Sequence, residues 1–389
     1  YTYTFTNPGS VQAFQIEATG GSAAIASAFS TTLFDSGGGV SSATVTNGID
    51  LATDGGLVWV KSRTDQGASA TQNNLSDTER GTGNKLITNG TYANIVSANE
   101  SCSAFNNNGF TYADGFGDSS NKASWTFKKQ AKFFDIVTYT GTGSAQNISH
   151  SLGSVPGMII VKQTDATNNW MVQHIAFGGS HRLELNSTDS AGTTSSVWNN
   201  TDPTSTVFTV GAHTGTNASG GNYIAYLFAH DTASDGLIKC GSYTGNGAAT
   251  GVLQNLGWQP QWLLIKNTDL ATEQWFIFDS ARGVVTGGSD AVLEASRDVA
   301  EFNADIVDFA TNGFTPISVD DKTNGSGHSY IYMAIRSASA PAITWPTSIE
   351  WTQGTTPKTP AEGATDVYTF TTDDGGTTYT GIQSIDTAS

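Results

Sequence analysis

A strand ending in lysine occurs three times along the chain, and its period constrains the fold more than any other feature. It reads Leu57-Val-Trp-Val-Lys61, then Met158-Ile-Ile-Val-Lys162, then Trp262-Leu-Leu-Ile-Lys266, with the lysines 101 and 104 residues apart. A second element follows about fifty residues after each lysine: Asn108-Gly-Phe110-Thr, Val207-Phe208-Thr and Asn312-Gly-Phe314-Thr, with phenylalanines 98 and 106 residues apart. After it comes an alternating aromatic strand: Ala123-Ser-Trp-Thr-Phe127, Tyr223-Ile-Ala-Tyr-Leu-Phe228 and Tyr330-Ile-Tyr-Met-Ala-Ile335. Self-similarity of this kind marks a repeated structural unit, here one of about a hundred residues.

The copies also differ in an informative way. The second and third share Val137-Thr-Tyr139-Thr-Gly-Thr-Gly143 with Gly241-Ser-Tyr243-Thr-Gly-Asn-Gly247, and Leu152-Gly-Ser-Val-Pro156 with Leu256-Gly-Trp-Gln-Pro260. The first and third share Asp77-Thr-Glu-Arg-Gly81 with Asp279-Ser-Ala-Arg-Gly283, which the second replaces by an unrelated stretch from His174 to Gly179. We read the aspartate and arginine as an ion pair within the module, beside a glycine turn. The units fall at 1–130, a first β module with an N-terminal leader ending in the Gly37-Gly38-Gly39 turn, then at 131–232 and 233–337. A C-terminal β tail, 338–389, carries Ile343-Thr-Trp345-Pro346, Ile349-Glu-Trp351, Val367-Tyr-Thr-Phe370 and Asp373-Asp-Gly-Gly-Thr-Thr-Tyr379, which read as short strands around a tight turn. The tail is expected to act as a small cap or as a contact with another subunit.

Only 13% of the residues are charged, 44 are Gly, and aromatics make up 10%. Charged residues are thus at about half the usual share, and the aromatics argue against disorder. Thr, Val, Ile and aromatics suit a pleated sheet, and Gly and Asn supply its turns. Short alternating strands with turn signals every eight to twelve or so residues favour sandwiches or barrels over β-α folds. The expected fold is all-β: three tandem antiparallel β-sandwich, jelly-roll-like modules plus a small C-terminal β segment. A solenoid is disfavoured, because a unit this long can bury a core of its own.

Seventeen Lys and Arg against thirty-four Asp and Glu give a formal charge of −17. That field argues against nucleic acid or an acidic membrane as partner, since phosphate binding needs clustered cations. Cys102 and Cys240 lie in different modules, so we expect two buried free thiols rather than a disulfide framework. No apolar run reaches the length of a membrane span, and no basic-then-apolar leader is present, so neither membrane insertion nor a secretory signal is expected.

Catalytic and metal motifs are weak. His150, His174, His181, His213, His230 and His328 are scattered without a Cys partner at ligand spacing, so no metal site is expected. The acidic turns Asp320-Asp321 and Asp373-Asp374 could offer oxygen ligands to calcium, but hairpin turns need the same residues. Asp77, Glu79, Asp279, Glu294 and Glu301 are carboxylates that a glycosidase could use, yet no pair recurs in a context that singles it out. Nucleophile elbows, phosphate loops and dinucleotide fingerprints are absent, so no catalytic residue and no cofactor is expected. Lys61, Lys162 and Lys266 close apolar strands, where the amine is expected to snorkel to water. Trp170, Trp198 and Trp275 would stack on sugar rings if exposed, although most tryptophans serve the core. The candidate ligand site is therefore Trp198, Asn199 and Asn200 with Trp170 and His174, in the stretch where the second module diverges.

Four strings carry a wider resemblance: Phe133-Phe-Asp-Ile-Val-Thr-Tyr-Thr-Gly141, Ser149-His-Ser-Leu-Gly-Ser-Val-Pro-Gly-Met-Ile-Ile-Val-Lys162, Ser196-Val-Trp-Asn-Asn200 and Ala218-Ser-Gly-Gly-Asn-Tyr-Ile-Ala-Tyr-Leu-Phe-Ala-His-Asp231. Over roughly residues 55–337 the chain resembles repeat-bearing virion structural proteins of marine tailed phages. The resemblance implies a non-enzymatic particle component located in the virion, either a tail or head appendage that contacts the host surface or a capsid decoration protein. Its expected partners are other virion proteins, further copies of itself with a trimer as the first expectation, and a host surface glycan. It brings no catalytic residues. A carbohydrate-binding or polysaccharide-depolymerising protein is the alternative.

Overall fold

The computed structural model describes residues 12–17, 21–35, 42–64, 72–113, 121–233, 235–284, 287–338, 349–352, 365–371 and 379–385. The Gly37-Gly38-Gly39 turn, Ile343 to Pro346 and the Asp373-Asp374 turn lie outside them. The chain is all-β and divides into two compact units, one formed by 1–25 with 338–389 and the other by 26–337. In the first unit, leader strand Gln12–Glu17 pairs antiparallel with tail strand Thr365–Thr371. Tyr379–Ile385 lies beside the latter and takes Ile349–Trp351 as a parallel neighbour.

The larger unit repeats one sandwich three times. Each module has a six-stranded antiparallel sheet in which the lysine strand lies at the centre: Gly56–Ser62, Pro156–Gln163 and Pro260–Asn267. Three further strands follow it as a meander, and the module's first and last strands close the other side, with the last strand next to the lysine strand. A small sheet of two or three strands covers one face. In the first module Val58 and Val60 of the lysine strand meet Val45, Phe110 and Tyr112 of this small sheet. In the third, Leu263 and Ile265 meet Leu256, Val307, Phe309 and Phe314 in the same way.

Alternation along a strand sends Leu57, Trp59 and Lys61 to the opposite face, and Trp262, Leu264 and Lys266 likewise. That face is not open to water, since the three lysine strands are buried throughout except at the half-buried Gln261. It packs on the other modules through an aromatic cluster, in which Phe127 lies 6.0 Å from Trp262 and 5.4 Å from Phe228, centroid to centroid. The run of apolar residues without alternation in these strands is the sequence mark of burial on both faces.

The modules close into a cycle. The amide just before each module's sixth strand donates to the carbonyl two residues past the next module's lysine: Asn94 to Thr164 at 2.7 Å, Ala191 to Thr268 at 2.8 Å, and Glu301 back to Arg63 at 3.0 Å. In the opposite sense, the side chain at or just before the start of each fourth strand (Asn73–Asp77, Met171–His174 and Trp275–Asp279) donates to the carbonyl at the end of a neighbour's fifth strand (Asn84–Ile87, His181–Glu184 and Asp290–Glu294). Trp170 Nε1 reaches Ile87 at 3.0 Å, Trp275 Nε1 reaches Glu184 at 3.0 Å, and Asn73 Nδ2 reaches Glu294 at 3.1 Å. All three seams are thus built alike, including the one between the first and third modules.

Candidate functional site

The shared Asp-x-x-Arg-Gly motif sits at these seams. In the first module Arg80 Nε donates to Asp77 Oδ2 at 2.6 Å, and in the third Arg282 Nε donates to Asp279 Oδ2 at 2.6 Å. Each pair stands beside a glycine in the left-handed region, Gly81 at φ 78° and Gly283 at φ 94°, where a side chain would be strained. The carboxylates also accept a bond from the neighbouring module's last strand: Tyr226 hydroxyl to Asp77 at 2.7 Å, and Trp125 Nε1 to Asp279 at 3.0 Å. Buried charges need such saturation, because an unpaired lone pair in a low-dielectric interior is costly.

The second module reverses the polarity of this contact. Its counterpart of the aspartates is His174, and the third module's counterpart of Trp125 and Tyr226 is Met333, which has no N–H or O–H to give. His174 Nε2 instead lies 3.1 Å from the Tyr332 carbonyl, and the Ala176 amide donates to Nδ1 at 3.2 Å. A carbonyl only accepts, so Nε2 carries the proton and Nδ1 is the bare nitrogen. Burial pulls this histidine down to about 4, and a proton on Nδ1 would face the Ala176 amide. The arginine's second acceptor has gone too. Asn94 Oδ1 takes a bond from Arg80 at 2.7 Å and Glu301 from Arg282 at 3.2 Å, whereas the corresponding residue of the second module is Ala191.

The three lysines do not snorkel. Lys61, Lys162 and Lys266 are wholly buried, because their strands are covered on both faces. Lys61 Nζ donates to the Arg297 carbonyl of the third module at 3.0 Å, and Lys266 Nζ to the Thr188 carbonyl of the second at 2.9 Å. Lys162 stays within its own module, donating to the Gln163 carbonyl at 2.8 Å. Burial lowers the amines to about 7, 8 and 8 respectively, with Asp298 and Glu294 opposing the shift at Lys61.

The five residues singled out from the sequence are not brought into one site. Trp198 is fully buried, and Asn199 and Asn200 beside it are exposed turn residues at φ 55° and 49°. Trp170 is also fully buried, its ring engaged at the seam with the first module, while His174 faces the third. Neither tryptophan offers a face to a sugar, since burying so large an apolar surface outweighs leaving it in water. Cys102 and Cys240 are both buried free thiols, as expected, and burial raises their pKa values.

The diverged stretch nonetheless forms a cavity of about 240 Å³. Its apolar walls include Val155, Pro156, Ile159, Ile175 and Pro203, and its polar lining is Gln173, His174 and Asp202. Gln173 is 3% exposed, and its Oε1 has no hydrogen-bond partner among the described residues. Leaving such a group unpaired costs roughly 1–3 kcal/mol. Asp202 Oδ1 accepts the Gly179 amide at 2.7 Å, and a Cβ on Gly178 would lie 2.3 Å from the same oxygen. Glycine at 178 therefore lets the carboxylate come close. The equivalent place in the first module is an open groove of about 650 Å³ whose charges pair with each other, Lys129 Nζ with Glu79 Oε1 at 2.7 Å. The sequence signal for the cavity was the divergence itself; Gln173 and Asp202 carried none.

No helix among the described residues is long and apolar enough to cross a membrane. No curated protein matches the chain. Residues 25–339 match the family model described as a domain of unknown function (DUF7483). The match spans the three-module unit and omits the leader and tail sheet. The chain belongs to this family.

Proposed function

We propose that the chain is a non-enzymatic structural component of a phage virion, an appendage of tail or head that contacts the host surface, or a capsid decoration protein. The observation that carries this reading is where the repeated polar residues are spent. The aspartate–arginine motif and the tryptophans at the starts of the fourth strands hold modules to one another. A chain whose recurrent chemistry serves cohesion fits a part that bears load. The resemblance of the repeats to virion proteins of tailed phages supports the same reading, and the net charge of −17 suits a solvated particle surface. Its partners are other virion proteins and further copies of itself, with a trimer as the expected assembly.

Antibody labelling of intact particles tests this. Signal at the tail or at head appendages supports the appendage, signal over the whole head supports decoration, and unlabelled particles contradict both. The cavity in the second module favours a second, narrower reading in which the appendage holds a glycan. Release of oligosaccharides from host polysaccharide would contradict the non-enzymatic assignment.

A further inference from the structure

We infer that mild acid opens the cycle at one seam, between the second and third modules, while the other two stay closed. The seams differ in what crosses them. Asp77 accepts the Tyr226 hydroxyl between the first and second modules, and Asp279 accepts Trp125 Nε1 between the third and first, where Arg63 also grips Glu301 through bonds of 2.9 and 2.7 Å. Between the second and third modules two imidazoles cross instead. His174 Nε2 donates to the Tyr332 carbonyl at 3.1 Å, and the Cys240 amide donates to His230 Nδ1 at 3.3 Å. His150, His181, His213 and His328 bond within their own modules.

Both rings hold a bare Nδ1 against an amide N–H, that of Ala176 for His174 and that of Cys240 for His230. A proton on either Nδ1 sets N–H against N–H, so neither ring can take a charge and keep its contacts. The surroundings do not relieve this. The two histidines repel each other once charged, and at His230 Lys239 adds to the repulsion while Asp231 opposes it. Asp202 is the one carboxylate on the cavity wall that His174 shares, and its Oδ1 is spent on the Gly179 amide. Burial keeps the nearby Cys240 thiol and Tyr332 phenol neutral. It also lowers both histidines, His174 from 6.5 to about 4, so below pH 6.5 the open seam binds more protons than the closed one. From His174 alone, the opening equilibrium rises on the order of 20-fold between pH 7 and pH 5.

The test is hydrogen exchange of the full chain at pH 7 and pH 5, read as protection factors of the Asn94, Ala191 and Glu301 amides, one at each seam. At pH 7 the three should be alike. At pH 5 Ala191 should lose about tenfold or more relative to the other two. His174→Gln keeps a donor for the Tyr332 carbonyl without titrating, and it should remove most of that loss. A second readout needs no variant. Cys240 packs on Gly157 at this seam, whereas Cys102 lies in the core of the first module. A dipyridyl disulfide, corrected for its rate with a free thiol, should label Cys240 faster at pH 5 than at pH 7 and leave Cys102 unmodified. The inference is overturned if the three amides lose protection together, if none does, if His174→Gln behaves as the parent, or if Cys102 labels as fast as Cys240.

Discussion

At the scale of single residues, burial rather than sequence neighbourhood decides what the ionisable groups do. His174 is held neutral between a carbonyl and an amide, with its pKa near 4 against 6.5 when free. Between those values the unfolded chain binds the proton and the folded chain does not, so stability is full above pH 6.5 and falls as pH drops towards 4. The loss should approach about 3 kcal/mol. Urea unfolding at pH 7 and pH 4.5 checks it: His174→Gln, which keeps a donor for the Tyr332 carbonyl without titrating, should lose less than the parent. Lys266 behaves with the same sign at the other end of the scale. Its amine is lowered to about 8, so the unfolded chain binds more protons from pH 8 to 10.5 and stability rises with pH through that window. Lys266→Met should flatten this rise, read as unfolding midpoints at pH 8 and 9.5. The burial of the lysines was legible in part. Met158-Ile-Ile-Val161 has no alternation, which marks a strand covered on both sides, but Lys162 at its end also fits a charge reaching water.

Among elements, the strand ends that meet at the seams matter most. Asp77 lies at the end of its strand, fully buried, and receives Arg80 and the Tyr226 hydroxyl of the next module. Tyr226→Phe should cost about 1–3 kcal/mol, measured by chemical denaturation, because the carboxylate keeps its arginine but loses a buried donor. Gly157 is the second residue of the second module's lysine strand, and a Cβ there would lie 2.7 Å from Cys240 Sγ and 2.8 Å from His230 Cβ. Gly157→Ala should therefore destabilise by about 1–3 kcal/mol through overpacking, seen as a lower denaturation midpoint. The lysine strands and the aromatic last strands were plain in the sequence, because periodicity and composition specify a strand locally. The stretch around the second-module cavity was legible only as a difference: the loss of the aspartate and arginine there showed where to look. Trp198 and Trp170 misled because the aromatic residues that suit a sugar are the same ones that fill a core.

For the whole larger unit, the consequence is a cycle rather than three beads on a string. Each module keeps a sandwich core, yet the face carrying Trp59, Trp125 and Trp262 is completed only by its neighbours. The sequence could not show this. Many of the seam acceptors are backbone carbonyls, those of Ile87, Glu184, Glu294, Arg63, Thr164 and Thr268, and a carbonyl leaves no mark on residue type. The family match across all three modules agrees with treating them as one domain. Closure is tested most directly by native-state hydrogen exchange at the amides of Asn94, Ala191 and Glu301, each of which donates across a different seam. The closed cycle predicts that all three exchange slowly and alike, with Glu301 protected although its acceptor Arg63 lies 238 residues away. Rapid exchange at Glu301 while Asn94 and Ala191 stay protected would show an open row of modules and contradict the account.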